Sequence, residues 1–248
     1  MNSVNIPFIF SQFNHLIAAE STRHGGVSSP PFSSLNLGIN TQDSFENVQT
    51  NRAIFFQQLG IEETQFASSF QVHGAEVQIV EKGGRAEGYD ALVTNQTNVF
   101  VGVTVADCTP ILIFDSKQLA VGAVHAGWRG TVAEIVHKTL VTMAETYGTQ
   151  AKDCFAYVGT CIDECSFEVG EEVAEQFAPA FKRFDAQLGK YLVDLKSANA
   201  AQLAAFGIPK NQIEISSYST ITHNEAFFSY RLEKGKTGRM LAVIGRKG

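Results

Sequence analysis

Four cysteines, one tryptophan and six prolines in 248 residues leave little room for several protein classes. The cysteines are Cys108, Cys154, Cys161 and Cys165, and no two of them form a C-x-x-C pair. A disulfide framework is therefore not expected, and a reducing compartment is the default. No window reaches the ~18 apolar residues of a membrane helix. The opening MNSVNIPFIF has neither a basic start nor a long apolar stretch, so it does not read as a signal peptide. A cytoplasmic protein with no membrane partner is the expectation. Basic residues are outnumbered by acidic ones, 19 to 25, for a formal net charge of −6. Nucleic acid and anionic lipid surfaces are poor partners for such a chain. A local cluster of arginines could still hold an anionic small molecule. G-x-G-x-x-G is absent, which argues against a dinucleotide fold. Only six histidines occur, and none in an H-x-H pair.

What is present is a large apolar fraction, 44%, spread without repeats or a long linker. One domain over residues 1–248 is the expectation. Residues 21–40 are rich in Gly, Ser and Pro and read as a long loop. A helix follows. Asp43 with Glu46 resembles a capping box, and Phe45, Val48, Arg52, Phe55 and Leu59 share one face. Gly60 ends that helix. The middle of the chain is β-rich: strands are predicted at 99–105, 111–115 and 119–126, with further strands at 154–158, 212–216 and 240–245. Helices are predicted at 131–147, 170–178 and 194–206. These elements imply an α+β protein with a mixed β-sheet core flanked by helices.

The hairpin 111–126 carries the first chemical signal. With a turn centred on Lys117, Pro110 faces Val124 and Thr109 faces His125. Cys108 then lies beside His125, because opposed Cβ atoms in a ladder stand ~5 Å apart. His125 opens H-A-G-W-R-G, a small-residue turn into a helix, and a helix start lowers a nearby thiol pKa. Either residue alone is ordinary packing; both at one hairpin end, beside Trp128 and Arg129, point to a site. Two chemistries fit: a thiolate and imidazole as metal ligands, or a metal-free Cys/His nucleophile pair. Asp107, on a strand, points away from Cys108, which gives it an orienting or structural role.

Six motifs extend the reading to nearly the whole chain. Q-V-H-G (71–74), D-A-L-V-T (90–94), V-A-D-C-T-P (105–110), H-A-G-W-R-G-T (125–131) and F-F-S-Y-R (227–231) with T-G-R (237–239) resemble the YfiH/YlmD family. That family carries the labels polyphenol oxidase, laccase-like and peptidoglycan editing factor. The resemblance implies a zinc site of His73, Cys108 and His125; the hairpin argument does not reach His73. Three protein ligands leave a fourth position open, as in catalytic zinc sites. Copper is a possible substitute at such donors. The fold implied is a mixed β-sandwich flanked by helices, related to cytotoxic necrotising factor cysteine hydrolases. The activity implied is phosphorolysis of adenosine, inosine, guanosine and methylthioadenosine, and deamination of adenosine. Arg23, Arg129 and Arg231 are the expected anion contacts, with Arg239 evenly balanced. Asn36 is the expected contact to ribose or base. Phe228, with Phe227 and Tyr230, is the candidate stacking surface for a purine.

The rival implied by the editing-factor label is a cytosolic amidase of mis-built UDP-muropeptide precursors. Multicopper laccase chemistry is disfavoured, because six histidines are too few for its paired clusters. A closed structural zinc module would need a fourth ligand from Cys161 or Cys165. The sequence departs from the family pattern at Thr160, at Ser219-Thr220, where a Cys-Thr pair is common, and at Leu232. None of these touches the three expected ligands. A small-molecule substrate is expected, with either a monomer or a homodimer.

Overall fold

The computed structural model describes residues 3–248. The first half of the chain runs β1 (Val4–Asn5), β2 (Leu16–Ser21), α1 (Phe45–Leu59), β3 (Phe66–Phe70), β4 (Val77–Ile79), β5 (Gly84–Glu87) and β6 (Ala91–Thr94). The centre is β7 (Phe100–Val105), β8 (Thr109–Asp115), β9 (Ala120–Ala126), α2 (Trp128–Val132) and α3 (Ile135–Tyr147). Then come β10 (Cys154–Val158), β11 (Glu168–Val169), α4 (Glu171–Ala174), β12 (Lys182–Asp185), β13 (Lys190–Val193), α5 (Leu195–Phe206), β14 (Ile213–Ile215) and β15 (Met240–Arg246).

The strands form two mixed six-stranded sheets, in the orders β1-β2-β15-β7-β3-β5 and β14-β10-β8-β9-β6-β4. A small third sheet pairs β11, β13 and β12. Alternation decides the layers, because successive strand residues face opposite sides. Val101, Val103, Ala242 and Ile244 of the first sheet meet Leu112, Phe114, Val121 and Ala123 of the second in one buried cluster. The intervening residues face outward. On the first sheet Phe100, Leu241 and Val243 pack against Phe55 and Phe56 of α1. On the second, Ile111, Ile113 and Val124 pack against Ile135, Val136, Leu140 and Met143 of α3. This α+β architecture thus has four layers, helix on sheet on sheet on helix. It explains why β8 and β9 read as continuous apolar runs: both of their faces are covered. Gly122 lets α3 close on β9, since a Cβ there would stand 3.3 Å from Met143 Sδ.

Several expected elements shift in detail. The β8–β9 hairpin pairs Pro110 with His125 and Thr109 with Ala126, one residue off the expected register. The turn is longer than a Lys117-centred one: Asp115 Oδ1 accepts from the amides of Lys117 and Gln118, and Leu119 turns left-handed at φ 58°. Cys108 still reaches His125, because it lies next to Thr109. The N-cap of α1 is Ser44, not Asp43, and Asp43 spends its oxygens on Ser28, Asn36 and the Ser44 amide. Phe45 leaves the buried face and is 67% exposed. The helix expected at 131–147 is two helices, broken where Glu134 adopts φ 59°. The helix expected at 170–178 contracts to Glu171–Ala174. Asp107 is not on a strand but in a left-handed turn at φ 86° between β7 and β8. Among the described residues no helix is long and apolar enough to cross a membrane.

Candidate metal centre

The end of β9 carries His125 on the face that looks between the two sheets, the same face as Val121 and Ala123. The turn leaving β7 delivers Cys108 beside it. The third side chain, His73, stands on the loop between β3 and β4, and its φ of 59° turns the ring inward. The candidate ligand atoms of His73, Cys108 and His125 all lie within 4.8 Å of one another. The two imidazoles meet edge to face, with centroids 4.8 Å apart. His125 is buried, Cys108 half-buried and His73 exposed, so the group is open on one side.

Asp90 holds this arrangement together. It is fully buried at the start of β6. Its Oδ1 lies 2.8 Å from His125 Nδ1 and accepts from the His73 amide at 3.0 Å. Its Oδ2 accepts from the amides of Val72 and Gly74. One carboxylate thus fixes the imidazole of one candidate ligand and the loop of another. With Nδ1 committed to Asp90, Nε2 is the nitrogen that His125 has left for a metal. Gly127 closes the group from behind: a Cβ there would stand 3.1 Å from Cys108 Sγ and 3.2 Å from the His73 ring.

The electrostatics follow from this packing. Burial alone would push the Cys108 thiol up, but the charge of His125 and hydrogen bonds from both imidazoles bring it down to about 6. Burial alone would push His125 down; the Cys108 thiolate and the Asp90 bond hold it above its ordinary value instead. Asp90 is held below the usual carboxylate range, because its bonds to His125 and the loop amides outweigh its burial. Without metal both shifts run in the direction that favours a thiolate beside an imidazolium. The donors are already those that a borderline-soft divalent cation takes.

Cys161 and Cys165 lie outside this group. Cys161 is buried, donates to Ile162 O and is pushed up to about 12 by burial; Cys165 is exposed beside Arg183. Among the described residues neither thiol supplies a fourth ligand.

A cavity of about 500 Å³ opens onto the group and runs along the outer face of the first sheet, beside α1. Of the five expected substrate contacts, only Arg231 lines it. Arg23 is committed elsewhere, bonded to Ser33 O, Asn224 O and Glu233 and stacked on Phe228. Phe228 is itself fully buried in the core. Asn36 is buried and ties the loop together, accepting from the amides of Gly38 and Arg239 and donating to Thr41 and Asp43. Arg129 lies on Trp128, away from the cavity lining. Tyr230, the weaker stacking candidate, does line the cavity, as does Arg239. Asp107 lines it as well, accepting from Thr220 Oγ1 and the Arg231 amide. Thr220 follows Ser219, the residue that stands where a Cys is common before that Thr.

Sequence reasoning missed three residues of this site. Asp90 stood inside a quoted motif, but a carboxylate that serves three amides and an imidazole leaves no local pattern. Arg52 read as part of an amphipathic helix face, and Arg85 sits on the short edge strand β5.

The description "Multi-copper polyphenol oxidoreductase laccase" belongs to a protein family that matches residues 17–247. A purine nucleoside phosphorylase of Bacteroides thetaiotaomicron is 34% identical over 251 residues, covering 95% of this chain and 92% of that protein. The purine nucleoside phosphorylase YlmD of Geobacillus stearothermophilus is 33% identical with the same coverage. The crystal structure of that YlmD superposes with a TM-score of 0.91 over 96% of this chain and 94% of its own, at 32% identity. A Bacillus licheniformis structure titled hypothetical protein YfiH gives 0.92 over 100% and 97%, at 30% identity.

Proposed function

This chain belongs to the multi-copper polyphenol oxidoreductase laccase family, the YfiH family, and from that membership we propose that it is a zinc-dependent purine nucleoside enzyme. The observation that carries the reading is the His73, Cys108 and His125 group, braced by Asp90 at the mouth of a cavity of nucleoside size. The proposed reactions are phosphorolysis of adenosine, inosine, guanosine and methylthioadenosine, and deamination of adenosine. Its relatives' names support the first reaction class.

The donor set fits zinc: one thiolate and two imidazoles, three ligands with an open side. Bound there, zinc would supply Lewis-acid polarisation of an oxygen on water or substrate. The chain's own residues do the rest. Asp90 keeps the His125 proton on Nδ1 and sets the ring's angle. The Asp90 clamp on residues 72–74 positions His73. Tyr230 and Phe70 offer exposed rings beside the cavity for a purine face. Among the described residues copper-cluster oxidase chemistry has no matching donor set, since the six histidines contribute only two to this group.

A second reading rests on the same geometry. The line Asp90, His125, Cys108 also suits a thiol nucleophile with an oriented base, the pattern of a cysteine hydrolase. The deciding experiment is metal content by mass spectrometry on wild type and Cys108→Ala, with purine release from nucleosides measured with and without phosphate. About one zinc per chain, lost in the variant, with phosphate-dependent release of the base, supports the proposal. An active protein without metal sinks it and favours the thiol nucleophile. Zinc with no nucleoside turnover, but hydrolysis of a serine-containing UDP-muropeptide, transfers the site to amide chemistry.

A further inference from the structure

The charge of the cavity runs against the charge of the chain. The protein carries a formal net charge of −6. Yet four arginines and one aspartate line the cavity, with no lysine or glutamate among them. The aspartate, Asp107, is already occupied by Thr220 and the Arg231 amide. The guanidinium groups are therefore not there to balance it.

Two of the four stand together at the end remote from the triad. Arg85 pairs with Ser68 across β5 and β3, and Ser68 is one step beyond the Ala67–Val101 pair, level with Gly102 of β7. Arg52 reaches the same level from α1, its guanidinium 5.1 Å from the Phe66 ring, and Phe66 pairs with Phe100. From Gly102 to Ala106, where β7 meets the triad, is four residues of strand, or about 13 Å. Arg52 is buried, yet its one hydrogen bond among the described residues runs from Nε to Glu63, which is 52% exposed. Its terminal nitrogens have no hydrogen-bond acceptor among the described residues. Arg85 donates once, to Asn40 Oδ1. Two guanidinium groups thus face one cavity and have, among the described residues, a single carboxylate between them, Glu63, which pairs with Arg52 from its half-exposed side. Burial weakens the hold of Arg52 on its proton, the Glu63 pair opposes this, and the Arg85 charge adds to the burial. An oxyanion between them would relieve that repulsion and accept from both planar forks.

We propose that Arg52 and Arg85 form an oxyanion subsite for a phosphate-class group, at the far end of the cavity from His73, Cys108 and His125. The subsite rests on the reading of this cavity as the substrate site. A separation of about 13 Å leaves room for a nucleoside between subsite and triad, so the group fits a phosphoryl carried by the substrate itself. The other source of the same chemistry is free phosphate.

The test is calorimetric binding of inorganic phosphate, adenosine and adenosine 5′-monophosphate, each alone, to wild type, Arg85→Gln and Arg52→Lys. Arg85 is exposed, so its variant keeps the fold. The expected result is that the nucleotide binds wild type and weakens about tenfold in Arg85→Gln, the loss of one charged hydrogen-bond pair, while adenosine is unchanged. Arg52→Lys, which keeps charge but loses the planar fork, weakens it as well. Nucleotide binding tighter than both adenosine and phosphate assigns the subsite to a phosphorylated substrate. Phosphate binding that is arginine-dependent and equally tight assigns it to a free co-substrate. Absence of phosphate and nucleotide binding to wild type, or affinities unchanged in both variants, overturns the subsite. Binding requires no turnover. A protein that binds the nucleotide through Arg85 but never cleaves nucleosides keeps the subsite and loses the proposed reaction.

Discussion

At one end of the cavity three donors converge, and almost every group around them is tied to another. Asp90 serves His125 and the amides of Val72, His73 and Gly74, and Gly127 presses against Cys108 and His73. At the other end the guanidinium groups of Arg52 and Arg85 make one hydrogen bond each among the described residues. The first end is preorganised, so its geometry is set before anything binds. The second is underfilled, so a ligand would complete it. The difference separates what the fold enforces from what the substrate must bring.

The sharpest way to break this comparison is to remove the centre of the first end. Cys108→Ala is expected to lose the bound metal outright and to abolish turnover, because two imidazoles alone hold zinc poorly. Arg85→Gln should keep its full metal content. Metal analysis of the two variants side by side checks the contrast. Metal lost from both would show that the ends are not independent.

Thiol chemistry gives the next largest contrast. After chelation, the Cys108 thiol with its value near 6 is a thiolate at pH 7, while burial pushes Cys154 and Cys161 up to about 12. In a Cys165→Ser background, iodoacetamide should label Cys108 selectively at pH 7. The sign is fixed by the direction of the shift: labelling slows as pH falls through the thiol's lowered value. Zinc added first should protect it. Equal labelling of the three thiols would refute the thiolate–imidazolium pairing.

Asp90→Asn comes third. It leaves the fold's apolar layers untouched but strips the charge that orients His125 and clamps residues 72–74. Metal affinity should drop roughly 10–100-fold, the usual cost of losing a partner that orients a ligand. The metal-free wild type should also depend on pH through this group. The carboxyl is held below its ordinary 3.8, so its contribution to stability is complete above that value and is lost as pH falls through the lower folded value. Thermal unfolding of Asp90→Asn should lack that acid limb.

These contrasts also explain what could be read from the sequence. The proximity of Cys108 to His125 was legible because the two share one hairpin, and a hairpin turns sequence order into proximity. A one-residue register error, from the extended Asp115–Leu119 turn, did not separate them. His73 needed the family resemblance, since no local rule joins the β3–β4 loop to the end of β9. The helix layers were legible wherever apolar spacing was regular, as in α3 and α5. They were not legible at Glu134, where a left-handed residue splits one expected helix into two. The arginine end was illegible. Arg52 and Arg85 come from a helix and an edge strand, and only the parallel pairing of β5, β3 and β7 brings them level. Arg23 and Arg129 looked better because glycine-rich turns flank them, and Asn36 because of the resemblance, yet the fold uses Arg23 and Asn36 to tie loops and lays Arg129 on Trp128.

The smallest effects come from two glycines, one behind the three donors and one beneath the stem of Arg239. Neither has a left-handed backbone, so alanine at either position probes space alone. At Gly127 the added methyl would meet Cys108 Sγ at 3.1 Å and the His73 ring at 3.2 Å. Both groups must give by tenths of an ångström, a strain of about 1 kcal/mol that lowers metal affinity severalfold. At Gly38 the methyl would meet Arg239 Cγ at 2.6 Å and Thr41 Cγ2 at 3.1 Å, forcing the Arg239 stem to move. Arg239 lines the cavity and stacks on Tyr230, so ligand affinity should fall while metal content stays full. Zinc titration and nucleoside binding on both variants test the pairing. If Gly127→Ala weakens nucleoside and metal equally, the preorganised end also grips the substrate. If only metal affinity moves, that end is set wholly by the fold, and recognition belongs to the arginines.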